Sequence, residues 1–348
     1  MSESQVLKVG SQSAPYFRTP EFSQTMLENE RLMLRFLHAP KGSRCVFLTT
    51  SGTGAMESVV MNVLSADDKV LVVNGGSFGQ RFVDLCALHG LEYLEIKVPF
   101  GHQIRAEQLG ECTGQGFTAL LVNMDETSSG TLYDMPLIAE FCQANGMLLV
   151  VDAISAFISD ELDMTALSAA VVITGSQKAL AVHPGIAVVA LAPQAIEWVE
   201  KNPEKCLYLS LKQALSNGAR GQTPFTPAVT TLLEINARLK SIEAAGGVEA
   251  EQAVIRGRAR RFRTFIADYP FELVSESPSN TVTALHPLNV GARSINDTMK
   301  DEYGIWLCPN GGSLADEVFR VGHIGTISAQ DTAALEAAFA DMNKRGLL

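Results

Sequence analysis

The sequence predicts an α/β protein with a mainly parallel sheet flanked by helices, and three observations predict it. Apolar runs alternate with helical segments from about residue 45 to about residue 195, the order that a parallel sheet with crossover connections requires. Three of the runs lead into polar clusters at equal intervals, with 26 residues from Glu126 to Asp152 and 26 from Asp152 to Lys178. That interval approximates one strand, crossover helix and return, a unit of about 30 residues. The clusters are therefore expected at one carboxyl edge of the sheet, where open α/β folds bind ligands.

Taken in order, the first run is Cys45 to Thr50, followed by Ser51-Gly52-Thr53-Gly54-Ala55. Met56, Val59, Val60, Val63 and Leu64 then repeat at three- and four-residue spacing, which predicts a helix. A glycine turn feeding a helix presents unpaired backbone N–H groups and the positive end of the helix dipole, and so suits a phosphate. Ordinary strand-to-helix connections look the same, and the spacing is neither a Walker loop nor a dinucleotide fingerprint. The second run, Lys69 to Val73, leads into Asn74-Gly75-Gly76-Ser77-Phe78-Gly79-Gln80-Arg81, where Phe78 suits either stacking on a flat ring or a place in the core.

The third run, Ala119 to Met124, leads into Asp125-Glu126-Thr127-Ser128-Ser129-Gly130. Met147 to Val151 ends in Asp152, and Ala169 to Ile173 is followed by Thr174-Gly175-Ser176-Gln177-Lys178-Ala179. A lysine at the end of a buried strand is where an enzyme of pyridoxal-phosphate type holds its cofactor as a Schiff base. A strand-end carboxylate there can keep the pyridine nitrogen protonated. Each has a plain alternative, a surface lysine and a turn or cap aspartate. His183, close to the lysine in sequence, fits a loop role better than a pocket role.

Beyond Asn217-Gly218-Ala219-Arg220-Gly221 two long helical stretches are expected, the second with a basic run from Arg256 to Arg263 that reads as a solvated face. Asn280 to Leu285 and Val318 to Val321 read as short strands and Asp331 to Asn343 as a closing helix, together a smaller α+β domain beginning near Gly246. Three parts are expected: an N-terminal segment over 1–25, a large domain over 26–245 and a small domain over 246–348.

A chain of 348 residues with 47% hydrophobic content can bury a sizeable core. Its net charge of −11 argues against a nucleic-acid binder, which needs a basic surface. The N-terminus carries no apolar signal stretch, and no apolar run of about 20 residues would span a bilayer, so a soluble cytoplasmic protein without a membrane partner is expected. Six scattered cysteines without a CxxC pair suit reduced, buried thiols, and the dispersed histidines offer no metal cluster.

The segments SGTGAME, NGGSFGQR, DETSSG, VDA and GSQKA, in this order and spacing, resemble the class V aminotransferases of fold type I. The resemblance runs from Thr19-Pro20-Glu21-Phe22 to Phe319-Arg320-Val321-Gly322-His323-Ile324-Gly325, nearly the whole chain. It is nearest to the alanine–glyoxylate/serine–pyruvate and 2-aminoethylphosphonate–pyruvate subgroups. It implies a seven-stranded sheet, pyridoxal 5'-phosphate as cofactor, and a homodimer with shared active sites. Lys178 would be the cofactor-linked lysine and proton carrier, Asp152 the partner of the ring nitrogen, and Ile154 would pack beneath the ring. Ser51, Gly52, Thr53 and Gln177 would hold the phosphate, and Thr127 or Ser128 the ring hydroxyl. Phe78 stands where tryptophan is frequent in the alanine–glyoxylate branch and would stack on the ring. Thr226 would reach the neighbouring subunit's phosphate, Arg320 would clamp the substrate carboxylate, and Arg18 is a second candidate near the entrance.

The implied reaction is transamination between a small amino donor and pyruvate or glyoxylate, with 2-aminoethylphosphonate favoured as donor over alanine or serine. A cysteine desulfurase-like lyase is the other enzyme reading and would need Cys308 as nucleophile. A binding protein that only kept the fold would have no use for Lys178 together with Asp152.

Overall fold

Apolar runs become strands here because a buried backbone must find ladder partners for its N–H and C=O groups. The computed structural model describes residues 3–348. Helices α1 (Ser4–Gly10) and α2 (Pro20–Phe36) precede β1 (Arg44–Leu48), α3 (Gly52–Val63), β2 (Lys69–Asn74), α4 (Ser77–Leu88), β3 (Glu92–Lys97), α5 (Ala106–Gly110) and β4 (Ala119–Asn123). The short strands β5 (Asp125–Glu126) and β6 (Thr131–Leu132) follow, then α6 (Met135–Ala144), β7 (Leu148–Asp152), β8 (Ala169–Gly175) and β9 (Ala187–Leu191). Next come helices α7 (Pro193–Lys201), α8 (Leu211–Gly218), α9 (Val229–Ala244) and α10 (Val248–Ile266). The remainder comprises β10 (Phe271–Leu273), β11 (Val282–Pro287), α11 (Ala292–Tyr303), β12 (Cys308–Pro309), β13 (Phe319–Gly322) and α12 (Ala329–Lys344).

Seven strands form the central sheet in the order β1-β9-β8-β7-β4-β2-β3. Strands β8, β7, β4, β2 and β3 pair in parallel, while β9 is antiparallel to both β8 and β1. The fold class is the expected one, a mainly parallel sheet flanked by helices. Its interior strands are apolar on both faces: Leu149 and Val151 of β7 enter one core, Leu148 and Val150 the other. The sequence did not single out β3 or β9. Edge strand β3 is partly solvated, with Glu92 and Leu94 exposed, so its apolar signal is weak.

The second sheet has the order β10-β11-β13-β12 and is antiparallel throughout. It packs with α11 and α12 around Phe262, Leu285, Met299, Phe319 and Phe339. Helix α10 joins the two cores, giving Val248 and Ile255 to the first and Phe262 and Ile266 to the second. Asp160 ties them again by accepting the Asn280 N–H and side-chain amide.

The basic run on α10 corrects the expectation of a merely solvated face. Arg258 reaches the carbonyls of His323, Gly325 and Ile327, and Arg263 bonds the Ser279 carbonyl at 2.9 Å. Half-buried guanidinium groups here satisfy loop carbonyls that no ladder reaches. The spacing predicted the helix face but not the carbonyls waiting beside it. Among the described residues no helix is long and apolar enough to cross a membrane.

Candidate active site

Strands β4, β7 and β8 lie side by side and parallel, so Asn123, Asp152 and the turn after Gly175 emerge at one carboxyl edge. Asn123 and Asp152 are register partners, and the Asn123 amide donates to Asp152 Oδ2 at 2.6 Å. The Ile154 N–H donates to Oδ1 at 2.8 Å. Burial pushes the Asp152 carboxyl up to about 6, against those two hydrogen bonds, so the group is oriented as an acceptor but forms no ion pair among the described residues.

Lys178 follows β8 in a turn tied by its neighbours. The Ser176 hydroxyl donates to the His183 carbonyl at 2.7 Å, the Val182 N–H to the Ser176 carbonyl, and Ala181 takes a left-handed conformation at φ 55°. A non-glycine residue there stores backbone strain that the surroundings must hold. Lys178 is half-buried. His183 anchors the far side of the turn through Nδ1 to the buried Glu234 at 2.8 Å, the loop role expected of it.

Ser51 and Thr53 stand at the start of α3, where the N-cap Ser51 makes no side-chain capping bond. The first-turn N–H groups of a helix have no intrahelical acceptor, so this end suits an anion. Ile154, two residues beyond Asp152, lies against Gly52 so closely that a Cβ on the glycine would collide with its Cδ1. The glycine turn at the start of α3 and the segment after Asp152 are thereby adjacent. Gln177 is exposed beside the lysine.

Phe78 lies in the first turn of α4, and its N–H and that of Gly79 donate to Glu126 at 3.1 and 3.0 Å. Glu126 is fully buried, and its carboxyl caps the first turn of that helix. It also takes the Ser128 hydroxyl at 2.5 Å, and the Ser128 oxygen receives the Ser77 N–H. Thr127 Oγ1 instead pairs with Ser155 Oγ at 2.8 Å. Of the two hydroxyls considered for the ring oxygen, that of Ser128 is already committed to Glu126.

Arg320 comes from β13 of the second sheet and reaches the loop after β5. Its two terminal nitrogens donate to the carbonyls of Thr127 at 3.0 Å and Pro309 at 2.8 Å, while Nε is buried without an acceptor among the described residues. Asn310 reinforces this junction by donating to the Ser128 carbonyl at 2.9 Å. Cys308, opposite Arg320 in the ladder, is exposed, whereas Cys45, Cys86, Cys112 and Cys142 are buried. Arg18 is occupied elsewhere, donating to Gln222 Oε1 at 3.0 Å and the Thr223 carbonyl at 2.9 Å. It holds the 222–224 segment and does not join Arg320. Thr226 is exposed just beyond, next to Phe225, whose ring stacks on Tyr208 with centroids 5.4 Å apart.

Sequence reasoning gave no role to Asn123, Glu126, Ser155 or Arg81. The signal for Asn123 is a polar residue closing an otherwise apolar strand, and for Glu126 a carboxylate three residues beyond it. Asp125 is also buried, with Oδ2 unpartnered among the described residues; burial and then Asp160 and Asp152 hold its carboxyl well above the usual range. His323 is a core group beside Thr283, pushed down to about 3 by burial and by the nearby Arg263 and Arg258.

The family described as Aminotransferase class-V matches residues 8–303. A soluble hydrogenase small subunit from Synechococcus sp. is 30% identical over 350 residues, covering 98% of this chain and 90% of that protein. An L-aspartate–glyoxylate aminotransferase from Paracoccus denitrificans is 29% identical, covering 89% and 81%. Among solved structures, a subgroup IV aspartate aminotransferase from Thermus thermophilus superposes with a TM-score of 0.92 at 24% identity, covering 99% and 97%.

Proposed function

From the premise that this chain belongs to the class-V aminotransferase family, we propose that it passes an amino group from a small α-amino acid to glyoxylate or pyruvate, with pyridoxal 5'-phosphate as cofactor. The observation that carries this reading is Asp152: buried, held by two N–H donors, raised by burial, and on the strand next to the one that leads to Lys178. A protonated pyridine nitrogen supplies the compensating charge that such a carboxylate lacks. The glycine cradle beside Ile154 and the open start of α3 fit the phosphate end.

When bound, the cofactor supplies a carbonyl carbon that takes the amino group and a ring that accepts the electron pair left when Cα loses its proton. In this reading Lys178 removes and returns that proton, and Asp152 keeps the ring nitrogen protonated. Ser51, Gly52, Thr53 and Gln177 hold the phosphate, Phe78 and Ile154 bracket the ring, and Thr127 serves the ring oxygen. Arg320 orients the substrate through its carboxylate; the buried Nε without an acceptor supports an incoming acid group. A donor that carries its own carboxylate presents Arg320 with the same acid group in both half-reactions, whereas 2-aminoethylphosphonate would present a phosphonate in one and the acceptor a carboxylate in the other. The Paracoccus relative's name pairs aspartate with glyoxylate, which favours an amino-acid donor.

The reading includes a cytoplasmic homodimer in which Thr226 serves the neighbour's phosphate, and a division of the chain into 1–25, 26–245 and 246–348. A screen of aspartate, serine, alanine and 2-aminoethylphosphonate against glyoxylate and pyruvate, with product identification, tests the reaction. Glycine or alanine formed from an amino-acid donor is the expected result. Turnover with 2-aminoethylphosphonate alone would transfer the assignment to that donor, and no amino transfer with any pair would remove the proposal.

A further inference from the structure

Arg81 stands on α4, three residues beyond Phe78, and its Nη1 donates to Thr53 Oγ1 at 2.8 Å. Its guanidinium carbon lies 4.9 Å from the centroid of the Phe78 ring. The side chain is half-buried, and Thr53 is its only hydrogen-bond partner among the described residues. A cation is thus set against the positive end of α3, an arrangement that is repulsive unless an anion lies between them.

The neighbouring carboxylates do not provide that anion. Glu126 is spent on the N–H groups of Phe78 and Gly79 and on Ser128. Asp84, one turn further along α4, accepts from Gln80 at 2.8 Å and is exposed. The charge of Arg81 is felt as far as Asp152, where it acts with the Ile154 and Asn123 hydrogen bonds against the larger effect of burial. Arg81 is bonded to the start of α3 through Thr53 and packed on Phe78. Thr53 completes the arrangement: its hydroxyl oxygen accepts from Arg81, so its own proton is free to donate outward.

We propose that Arg81 binds the phosphate end of the cofactor, directly through its free guanidinium nitrogens and through Thr53, whose hydroxyl it orients toward the anion. This rests on the cofactor reading above. A guanidinium matches the oxygens of a phosphate monoester, and its flat face packs on Phe78 while doing so. The chemical class recognised is a dianionic phosphate, so the contribution belongs to the phosphate and not to the pyridine ring.

The test compares equilibrium binding of pyridoxal 5'-phosphate and of phosphate-free pyridoxal, read by absorbance, for wild type, Arg81→Gln and Arg81→Lys, with folding checked by circular dichroism. Arg81→Gln is expected to weaken pyridoxal 5'-phosphate at least tenfold and to leave pyridoxal within about twofold. Arg81→Lys, which keeps the charge without the planar fork, is expected to lose only a few-fold, and it serves if Arg81→Gln does not fold. Equal losses for both ligands would reduce Arg81 to a packing partner of Phe78, and no loss in either variant would overturn the proposal. Wild type that binds neither ligand would instead overturn the cofactor reading, and this inference with it.

Discussion

At the ends of β7 and β8 the sheet itself positions the chemistry, whereas the segment Gln222 to Thr226 is a surface loop held by side chains from elsewhere. Asp152 is 4% exposed and its register fixes it against Asn123. Thr226 is exposed, and the loop leading to it depends on Arg18 and on bonds from Gln222 to Ser23 and Phe17. The difference separates two tasks. Charge and proton chemistry gains from a dry, rigid setting, where an ionised group interacts strongly. In the proposed dimer, a group that serves a second copy of the chain must instead remain on the surface of its own.

Removing Lys178 should produce the largest effect. Lys178→Ala is expected to lower single-turnover transamination by roughly 10²–10⁴-fold or more while circular dichroism stays unchanged, because in the proposed reaction the amine is both attachment point and proton carrier. The exposed region is tested on the same background. Lys178→Ala chains mixed with chains carrying a disabling Thr226 substitution should regain activity, since one site of each mixed dimer holds both wild-type groups. Mixed dimers that form without recovered activity would leave Thr226 outside the site.

Asp152→Asn should come next. Cofactor binding is expected to persist while turnover falls by about 10²-fold, because a neutral amide cannot hold the pyridinium charge. The same variant carries a pH signature. The folded carboxyl titrates near 6, above its unfolded value of about 3.9, so the cofactor-free protein holds an extra proton between those values. That contribution is fully present below the unfolded pKa and is lost as pH rises through the folded one. Denaturation of the two cofactor-free proteins should show Asp152→Asn gaining stability over wild type between about pH 4 and pH 6, by at most about 3 kcal/mol. A difference independent of pH would mean that Asp152 is already paired in the folded chain.

Phe78→Ala should have the smallest effect, a loss of cofactor retention worth about 0.5–1.5 kcal/mol beyond area burial, measured as a dissociation constant. Unchanged affinity would make Phe78 a wall of the core and not of the site.

The same contrast explains what could be read from the sequence. The apolar runs that lead to Asp152 and Lys178 mark both residues because strand burial and a polar residue after it are local signals, and a repeated interval of 26 residues predicts the shared edge where the structure places the end of β7 and the turn after β8. Glu126 and Arg81 escaped assignment because their meaning lies in partners 47 and 28 residues away, the Gly79 N–H and the Thr53 hydroxyl. Arg258 departs from the solvated face for a related reason: the carbonyls of 323–327 that it satisfies are more than 60 residues distant. Arg320 was nameable only by resemblance, since its orphaned Nε becomes visible once β13 is set against Thr127.

The most direct measurement of the central claim is borohydride reduction of the protein loaded with pyridoxal 5'-phosphate, followed by proteolysis and mass mapping of the labelled peptide. The account predicts a single reduced adduct on Lys178, at the turn after β8, and none in Lys178→Ala. An adduct on another lysine, or one that survives in Lys178→Ala at wild-type yield with turnover intact, would contradict it.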